Sequence, residues 1–425
     1  MKIFYIVLDG AADWKIKELD GKTPLQVANT PFLEDLVMNG EQSEIEILPN
    51  KMVPETDSGL MSLLGYDPLK YYCGRGTLEA LGLNLHKNSR FYAGFRINFA
   101  SINQREGILD RRTSRDLSKD DLFFLTQEIK EKVSLIDYPD IGFDLISFGN
   151  HRGILCFFSN TTKLSGNVSN TDPCFQKKGY FSEPSPFYDN KIQKCVPLDT
   201  ENASAITAEI LNEFTKQCSI ILKDSVVNKR RINQGKEPAN CIIARDGGRT
   251  PFKMPSFYKR YHKTIAIYGG LPCEKALAKL IGGKFFYSKA LELQLDRQYL
   301  SELSKDLLKG REDVKFCHLK GPDEPGHEHD PIGKIQAIEL IDHYFLGNIV
   351  HEKNADDIVI VTCDHMTPCE LGLHSGDKVP LLISGGKMQV DNTTHFDEYN
   401  ASKGKCKVQS GTDILDYVIG RYLNE

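Results

Sequence analysis

The residues of this chain that can do chemistry are gathered rather than scattered. Eight of the eleven histidines fall between His318 and His395, beside aspartates at short spacings. Asp9 closes an apolar run at residues 2–8, KIFYIVL. Asp323 and His327 stand in DEPGH, where Pro325 and Gly326 fix a loop that can turn both side chains to one point. Asp364 and His365 follow a second apolar run, DIVIVTC, and His374 comes nine residues later in LGLHSGD. Three aspartates and three histidines can hold two divalent cations with mixed oxygen and nitrogen ligands, a set that suits Mn²⁺ or Zn²⁺ better than Ca²⁺. Taken singly, an Asp-Gly is a turn and an Asp-His is a surface or capping pair. It is the whole set, each member at a predicted strand end, that points to metal. His318, His329 and His343 lack that context and are expected to face solvent or lie on helix surfaces.

A two-metal site also needs a nucleophile. PETDS at residues 54–58 precedes the apolar-periodic GLMSLLGY, so a hydroxyl, Thr56 or Ser58, stands where a helix begins. Backbone N–H groups and the helix dipole favour a phosphate there, and a metal can lower the hydroxyl pKa and hold an oxyanion. The plainer role for either residue is a helix cap, and beside a metal cluster one residue can do both. Six of the sixteen arginines lie between Arg90 and Arg115, namely Arg90, Arg96, Arg105, Arg111, Arg112 and Arg115. His151 and Arg152 begin a further strand, and Arg245 lies in ARDGG. Guanidinium forks suit carboxylate and phosphate, so a small substrate carrying both groups fits such a set. The alternatives are a solvated basic face or an RNA patch, but few aromatics interleave these arginines to form a stacking platform.

The elements that must position these residues follow from pattern. At 425 residues and 47.9 kDa the chain calls for two domains or one domain with a large insertion. Apolar content of 40 % and charged content of 26 % exclude a mainly disordered chain. A net charge of −5 argues against a general nucleic-acid binder. Eleven cysteines without a CxxC pair are expected to be reduced thiols. The opening apolar run is too short for a signal segment and no stretch approaches a membrane span. A soluble cytoplasmic protein is expected, without nucleic-acid or membrane partners. Residues 2–8, 263–268, 315–319, 357–363 and 379–384 read as buried strands, and 23–39 and 333–350 as helices. Alternation of this kind predicts a doubly wound α/β sheet, whose strand ends converge on one crevice. Residues 88–258 read as a second, inserted domain with strands at 91–101, 144–147 and 153–158 and a turn-rich loop at 165–190.

In order along the chain, VLDGAADW, KTPLQVANTP, SLLGYDP, GRGTLEALGL, FRINFA, LDRRTSRDL, HRGIL, NTDP, KGPDEPGHEHD and CDHMTPCELGLHSGDKVPLLISGG run from the first strand to about Gly386. Together they resemble the archaeal-type 2,3-bisphosphoglycerate-independent phosphoglycerate mutases of the alkaline phosphatase superfamily. The resemblance implies an alkaline-phosphatase-like α/β sheet domain (1–87 and 259–425) with an inserted α+β substrate domain (88–258). It implies interconversion of 3-phosphoglycerate and 2-phosphoglycerate through a phospho-Thr or phospho-Ser enzyme, without 2,3-bisphosphoglycerate. By the family pattern Asp323, His327 and His374 hold one metal, and Asp9, Asp364, His365 and the nucleophilic hydroxyl hold the other. Mn²⁺ is the first expectation, with Zn²⁺, Co²⁺ or Mg²⁺ as alternatives. Arg96, Arg111, Arg112, Arg115, His151, Arg152, Asp172 and Arg245 match positions implied to bind a small phosphorylated acid. Oligomeric state is left open.

The family commonly places its nucleophile six residues before the position of Ser62, which favours Thr56 over Ser58. Departures stand at Leu60 in place of a frequent His, at Arg245-Asp246 in place of Arg-Gly, at Lys378 in place of Pro, and across 288–299. They leave room for an altered substrate. The competing readings are a phosphatase or phosphonate hydrolase on the same scaffold, a pentose-phosphate mutase, which the arginine set disfavours, or, given the two candidate hydroxyls, a catalytically inactive homologue.

Overall fold

A computed structural model describes all residues except 104, 105, 112, 150, 186, 187, 289–295, 387–389, 424 and 425. The chain divides into two compact units, one formed by residues 1–71 with 253–425 and the other by residues 72–252.

The first unit is built on a seven-stranded sheet. Its order is Lys284–Tyr287, Ile265–Gly269, Val314–Leu319, Ile3–Leu8, Ile358–Thr362, Val379–Gly385 and Gly40–Ile45. The first five strands run parallel, and the last two join antiparallel. Ile3–Leu8 is buried at all six positions because both of its edges are paired; an unbroken apolar run suits that placement. The edge strand Gly40–Ile45, GEQSEI, is polar in sequence yet mostly buried. Gln42 Nε2 accordingly donates to Thr393 Oγ1 and to the His395 carbonyl.

Two helices differ from expectation. The predicted helix at 23–39 is two helices, Pro24–Val27 and Pro31–Met38, because Pro31 lacks the N–H a continuing helix needs but fits a first helical turn. The predicted helix at 333–350 is Pro331–Ile341, then a wider π turn at Asp342–Leu346, then Gly347–Glu352. Among the described residues no helix is long and apolar enough to cross a membrane. All eleven cysteines are buried free thiols.

The second unit carries an antiparallel sheet ordered Ile108–Asp110, Phe91–Asn103, Arg152–Ser159 and Gly142–Phe148, with Cys241–Arg245 also paired to Phe91–Asn103. Helices Lys119–Lys132 and Asn202–Asp224 supply Leu125, Ile129, Leu211 and Phe214 to a core shared with Phe95 and Phe157 of the sheet. The segment at 165–190 is not all loop: Phe175–Lys178 and Phe181–Pro184 form an antiparallel hairpin within it.

Candidate metal centre and arginine cluster

In the first unit the chemistry gathers at one end of the parallel strands. Val7 pairs in register with Thr362 and Leu8 with Leu319, so Asp9, Lys320 and Asp364 leave three adjacent strands at the same level. Asp323 opens the short helix Asp323–His327 just beyond. Ligand atoms of Asp9, Asp364 and His365 lie within 4.8 Å of one another, and so do those of Asp323, His365 and His374. His365 is common to both groups, and its ring stacks on His374 at 3.6 Å between centroids. His327 approaches Asp323 with Nε2 at 3.4 Å from Oδ2.

The donor chemistry of these groups fits a cation. His327 Nδ1 lies 2.9 Å from the Gly372 carbonyl and His374 Nδ1 lies 3.0 Å from the Pro54 carbonyl. A carbonyl only accepts, so each Nδ1 carries a hydrogen, and in the neutral ring each Nε2 is left to ligate a cation beside Asp323. Asp9 Oδ1, Asp364 Oδ2 and His365 Nε2 are buried without a hydrogen-bond partner. Buried acceptors lacking donors are costly, and divalent cations would satisfy them.

Neighbouring side chains hold the cluster in shape. The Thr367 hydroxyl donates to Asp323 Oδ1 at 2.7 Å and lies 3.0 Å from His365 Nδ1. Behind it, fully buried Lys334 donates to the Thr367 carbonyl (2.7 Å), the Ala12 carbonyl (3.2 Å) and Asp13 Oδ2 (2.8 Å). Gly10 has φ +57°, and a Cβ there would stand 2.6 Å from both Asp323 Oδ1 and Thr367 Oγ1, so only glycine lets the chain pass.

His318 was expected at the surface, and the structure corrects this: it is 2 % exposed, in the strand Val314–Leu319, which is buried at every position. Its Nδ1 lies 2.5 Å from Glu274 Oε1, and its Nε2 lies 3.5 Å from Asp9 Oδ2 and 3.7 Å from Asp364 Oδ2. Lys320 Nζ reaches to 2.6 Å of Asp9 Oδ2. The signal was available: a polar residue inside an otherwise apolar strand must find a buried partner. His329 and His343 are exposed, as expected.

The electrostatics follow this packing. Burial would raise Asp9, but Lys320 and His318 outweigh it and hold Asp9 well below the carboxylate range. Burial, reinforced by the Asp9 charge, pushes Asp364 up to about 6. Burial opposes protonation of His318, yet Asp9 and Glu274 carry it up to about 10. Burial and the neighbouring His365 bring His374 down to about 4.

The helix Thr56–Leu63 is buried throughout, with Thr56 as its first residue. Ser58 Oγ accepts from the Glu55 N–H at 3.1 Å and donates to the Glu55 carbonyl at 3.0 Å, so it works as a cap. Thr56 lies outside that reciprocal pair and is 3 % exposed. A Cβ on Gly59 would stand 2.6 Å from the Asp364 carbonyl, which brings the first turn of this helix against Asp364.

In the second unit, strand pairing sets Arg96 opposite Arg245. Arg111 Nη2 lies 2.6 Å from Asp172 Oδ2, and Arg245 Nε lies 4.0 Å from the same oxygen. The Phe175 ring lies under Arg245 at 4.2 Å and under Arg111 at 5.6 Å. Burial first, then the charges of Arg152, Arg115, Arg111 and Arg245, bring His151 down to about 4. Arg96, Arg111, Arg115, His151, Arg152, Asp172 and Arg245 are therefore neighbours. Arg112, like Arg105, lies outside the described residues. Sequence reasoning missed Glu79, whose Oε1 pairs with Arg75 at 3.0 Å and whose Oε2 pairs with Arg96 at 3.5 Å.

Comparison with known proteins places the chain among relatives. A family model described as 2,3-bisphosphoglycerate-independent phosphoglycerate mutase matches residues 38–228. A protein of that name from Methanopyrus kandleri is 33 % identical over 98 % of this chain and 95 % of its own length. One from Aeropyrum pernix is 34 % identical over 92 % of each chain. Among solved structures, a Pyrococcus horikoshii protein aligns with a TM-score of 0.79 at 27 % identity, covering 100 % of this chain and 97 % of its own. A cofactor-independent phosphoglycerate mutase from Thermoplasma acidophilum aligns with a TM-score of 0.64 at 27 % identity, covering 98 % of each.

Proposed function

This chain belongs to the 2,3-bisphosphoglycerate-independent phosphoglycerate mutase family, and from that premise we propose that it interconverts 3-phosphoglycerate and 2-phosphoglycerate through a phosphorylated Thr56. The observation that carries the proposal is the buried convergence of Asp9, Asp364 and His365, with the helix that starts at Thr56 packed against Asp364.

In this reading Asp323, His327 and His374 hold one divalent metal, and Asp9, Asp364, His365 and Thr56 hold a second, with Mn²⁺ the first candidate. Bound there, the metals neutralise phosphoryl charge and lower the pKa of the hydroxyl. Thr56 Oγ1 forms a bond to phosphorus as the bond from phosphorus to the substrate's C3 oxygen breaks, and that oxygen takes up a proton. The C2 hydroxyl of the same glycerate then attacks phosphorus, giving up its proton, and the Thr56–phosphate bond breaks as Thr56 Oγ1 takes a proton back. Ser58 is assigned to capping, because its hydroxyl is already bonded both ways to Glu55. The arginine set of the second unit is assigned to the substrate's carboxylate and phosphate, where guanidinium forks orient the acid. A soluble, cytoplasmic enzyme without a 2,3-bisphosphoglycerate requirement is part of the same proposal.

The test is a coupled assay for 2-phosphoglycerate from 3-phosphoglycerate with Mn²⁺ and no 2,3-bisphosphoglycerate, with free phosphate followed in parallel. Product without phosphate release is expected. Phosphate release without 2-phosphoglycerate would make the enzyme a hydrolase.

A further inference from the structure

We propose that the Asp246 carboxylate is a built-in competitor for the substrate's acid group, holding Arg245 and Arg96 and so limiting how tightly the arginine set binds anions. The proposal rests on the assignment of those arginines to a phosphorylated acid. Asp246 occupies a left-handed backbone position, φ +56°, which a residue with a Cβ adopts at a cost that glycine avoids. The backbone there is fixed on both sides: its N–H donates to Asn170 Oδ1 at 3.1 Å, and its carbonyl accepts from the Gly76 N–H at 3.0 Å. The side chain is thereby aimed inward, where it is 6 % exposed.

Its Oδ2 lies 2.7 Å from Arg245 Nη1 and 3.7 Å from Arg96 Nη1. Arg245 is then flanked by two carboxylates, Asp246 and Asp172, and its face lies on Phe175. Although burial works against the charge, Arg245, Arg96 and Arg75 hold Asp246 below the ordinary carboxylate range, so it is a full anion. An incoming acid that uses Arg245 must exchange one carboxylate for another. Charge-assisted hydrogen bonds of this kind are strong enough for the exchange to change affinity by a factor of ten or more.

The experiment uses the metal-loaded full chain with Asp246→Gly, which suits the left-handed backbone, and Asp246→Asn, which keeps the size and removes the charge. The dissociation constant for 3-phosphoglycerate is measured by calorimetry, alongside KM, kcat and melting temperature. Both variants are expected to bind 3-phosphoglycerate about tenfold or more tightly, with KM falling and kcat not rising. Unchanged binding would make Asp246 a structural residue, and weaker binding would make it a direct substrate contact; either overturns the proposal, as does absence of binding by every form. If wild type binds 3-phosphoglycerate without converting it, the mutase assignment fails, while tightening in the variants still upholds the role of Asp246.

Discussion

Replacing Lys334 with methionine isolates what holds the loops of the candidate metal centre together. The Lys334 ammonium and the Asp13 carboxylate are both fully buried and 2.8 Å apart, and the ammonium also satisfies the carbonyls of Ala12 and Thr367. Methionine recovers most of the apolar stem's packing but leaves the carboxylate and two carbonyls without that donor. Asp13 keeps the N–H groups of Cys369 and Trp14, which solvate but do not neutralise it. Breaking a buried pair on one side costs about 3–5 kcal/mol, and for a domain of this size each kcal/mol lowers Tm by roughly 2–4 °C. The expected fall is therefore of order 10 °C. It should be measured by calorimetry in excess EDTA, where bound metal cannot add stability. Asp13→Asn combined with Lys334→Met should recover at least half the loss, because no unpaired charge remains. A single variant that melts within about 2 °C of wild type would refute this reasoning, since the pair would then carry no net energy.

Thr56→Ala should cut turnover at least about a thousandfold, as loss of a nucleophile does, whereas Ser58→Ala should cost about 1 kcal/mol of stability through the cap and leave turnover measurable; the reverse pattern in paired assays would move the nucleophile to Ser58. Gly10→Ala should weaken Mn²⁺ binding about tenfold or more by pushing on Asp323 and Thr367, and an unchanged calorimetric isotherm would show that the loop adapts. Burial raises the Asp342 carboxyl from 3.8 to about 6 against the pull of two backbone N–H bonds. Its neutral form therefore stabilises the fold fully below about pH 4, and that contribution is lost as pH rises through about 6, up to about 3 kcal/mol in all. The stability of Asp342→Asn relative to wild type should rise across that window in urea unfolding, and a flat difference would contradict it.

The acids that cluster at the candidate metal centre, Asp9, Asp323 and Asp364, were legible because each follows a short apolar strand, and a strand end is a local pattern. His318 and Glu274 were not, because their nearness to Asp9 depends on Val314–Leu319 lying beside Ile3–Leu8, a pairing of distant segments that no local period encodes. The polar strand Gly40–Ile45 escaped for a related reason: its burial is made acceptable by partners near residue 393. Pro31 could have marked the helix break directly, since proline at a first helical turn is a local rule. Counting back from Ser62 already favoured Thr56, and the bonds of Ser58 to Glu55 agree with that preference. The hairpin within 165–190 was hidden by turn-rich composition around two short strands.

The central strand of the first unit takes both of its neighbours from far down the chain, Val314–Leu319 and Ile358–Thr362. During synthesis Ile3–Leu8 must therefore wait, apolar and unpaired, until those segments emerge, roughly 20–70 s at about 5–20 residues per second. The intervening unit of residues 72–252 makes its own sheet from its own strands, so it can fold during that delay. Assembly of the nascent chain is thus ordered from the middle outward. The candidate metal ligands, completed only by His374, come together among the last events, and the waiting strand is the segment that most needs protection from aggregation.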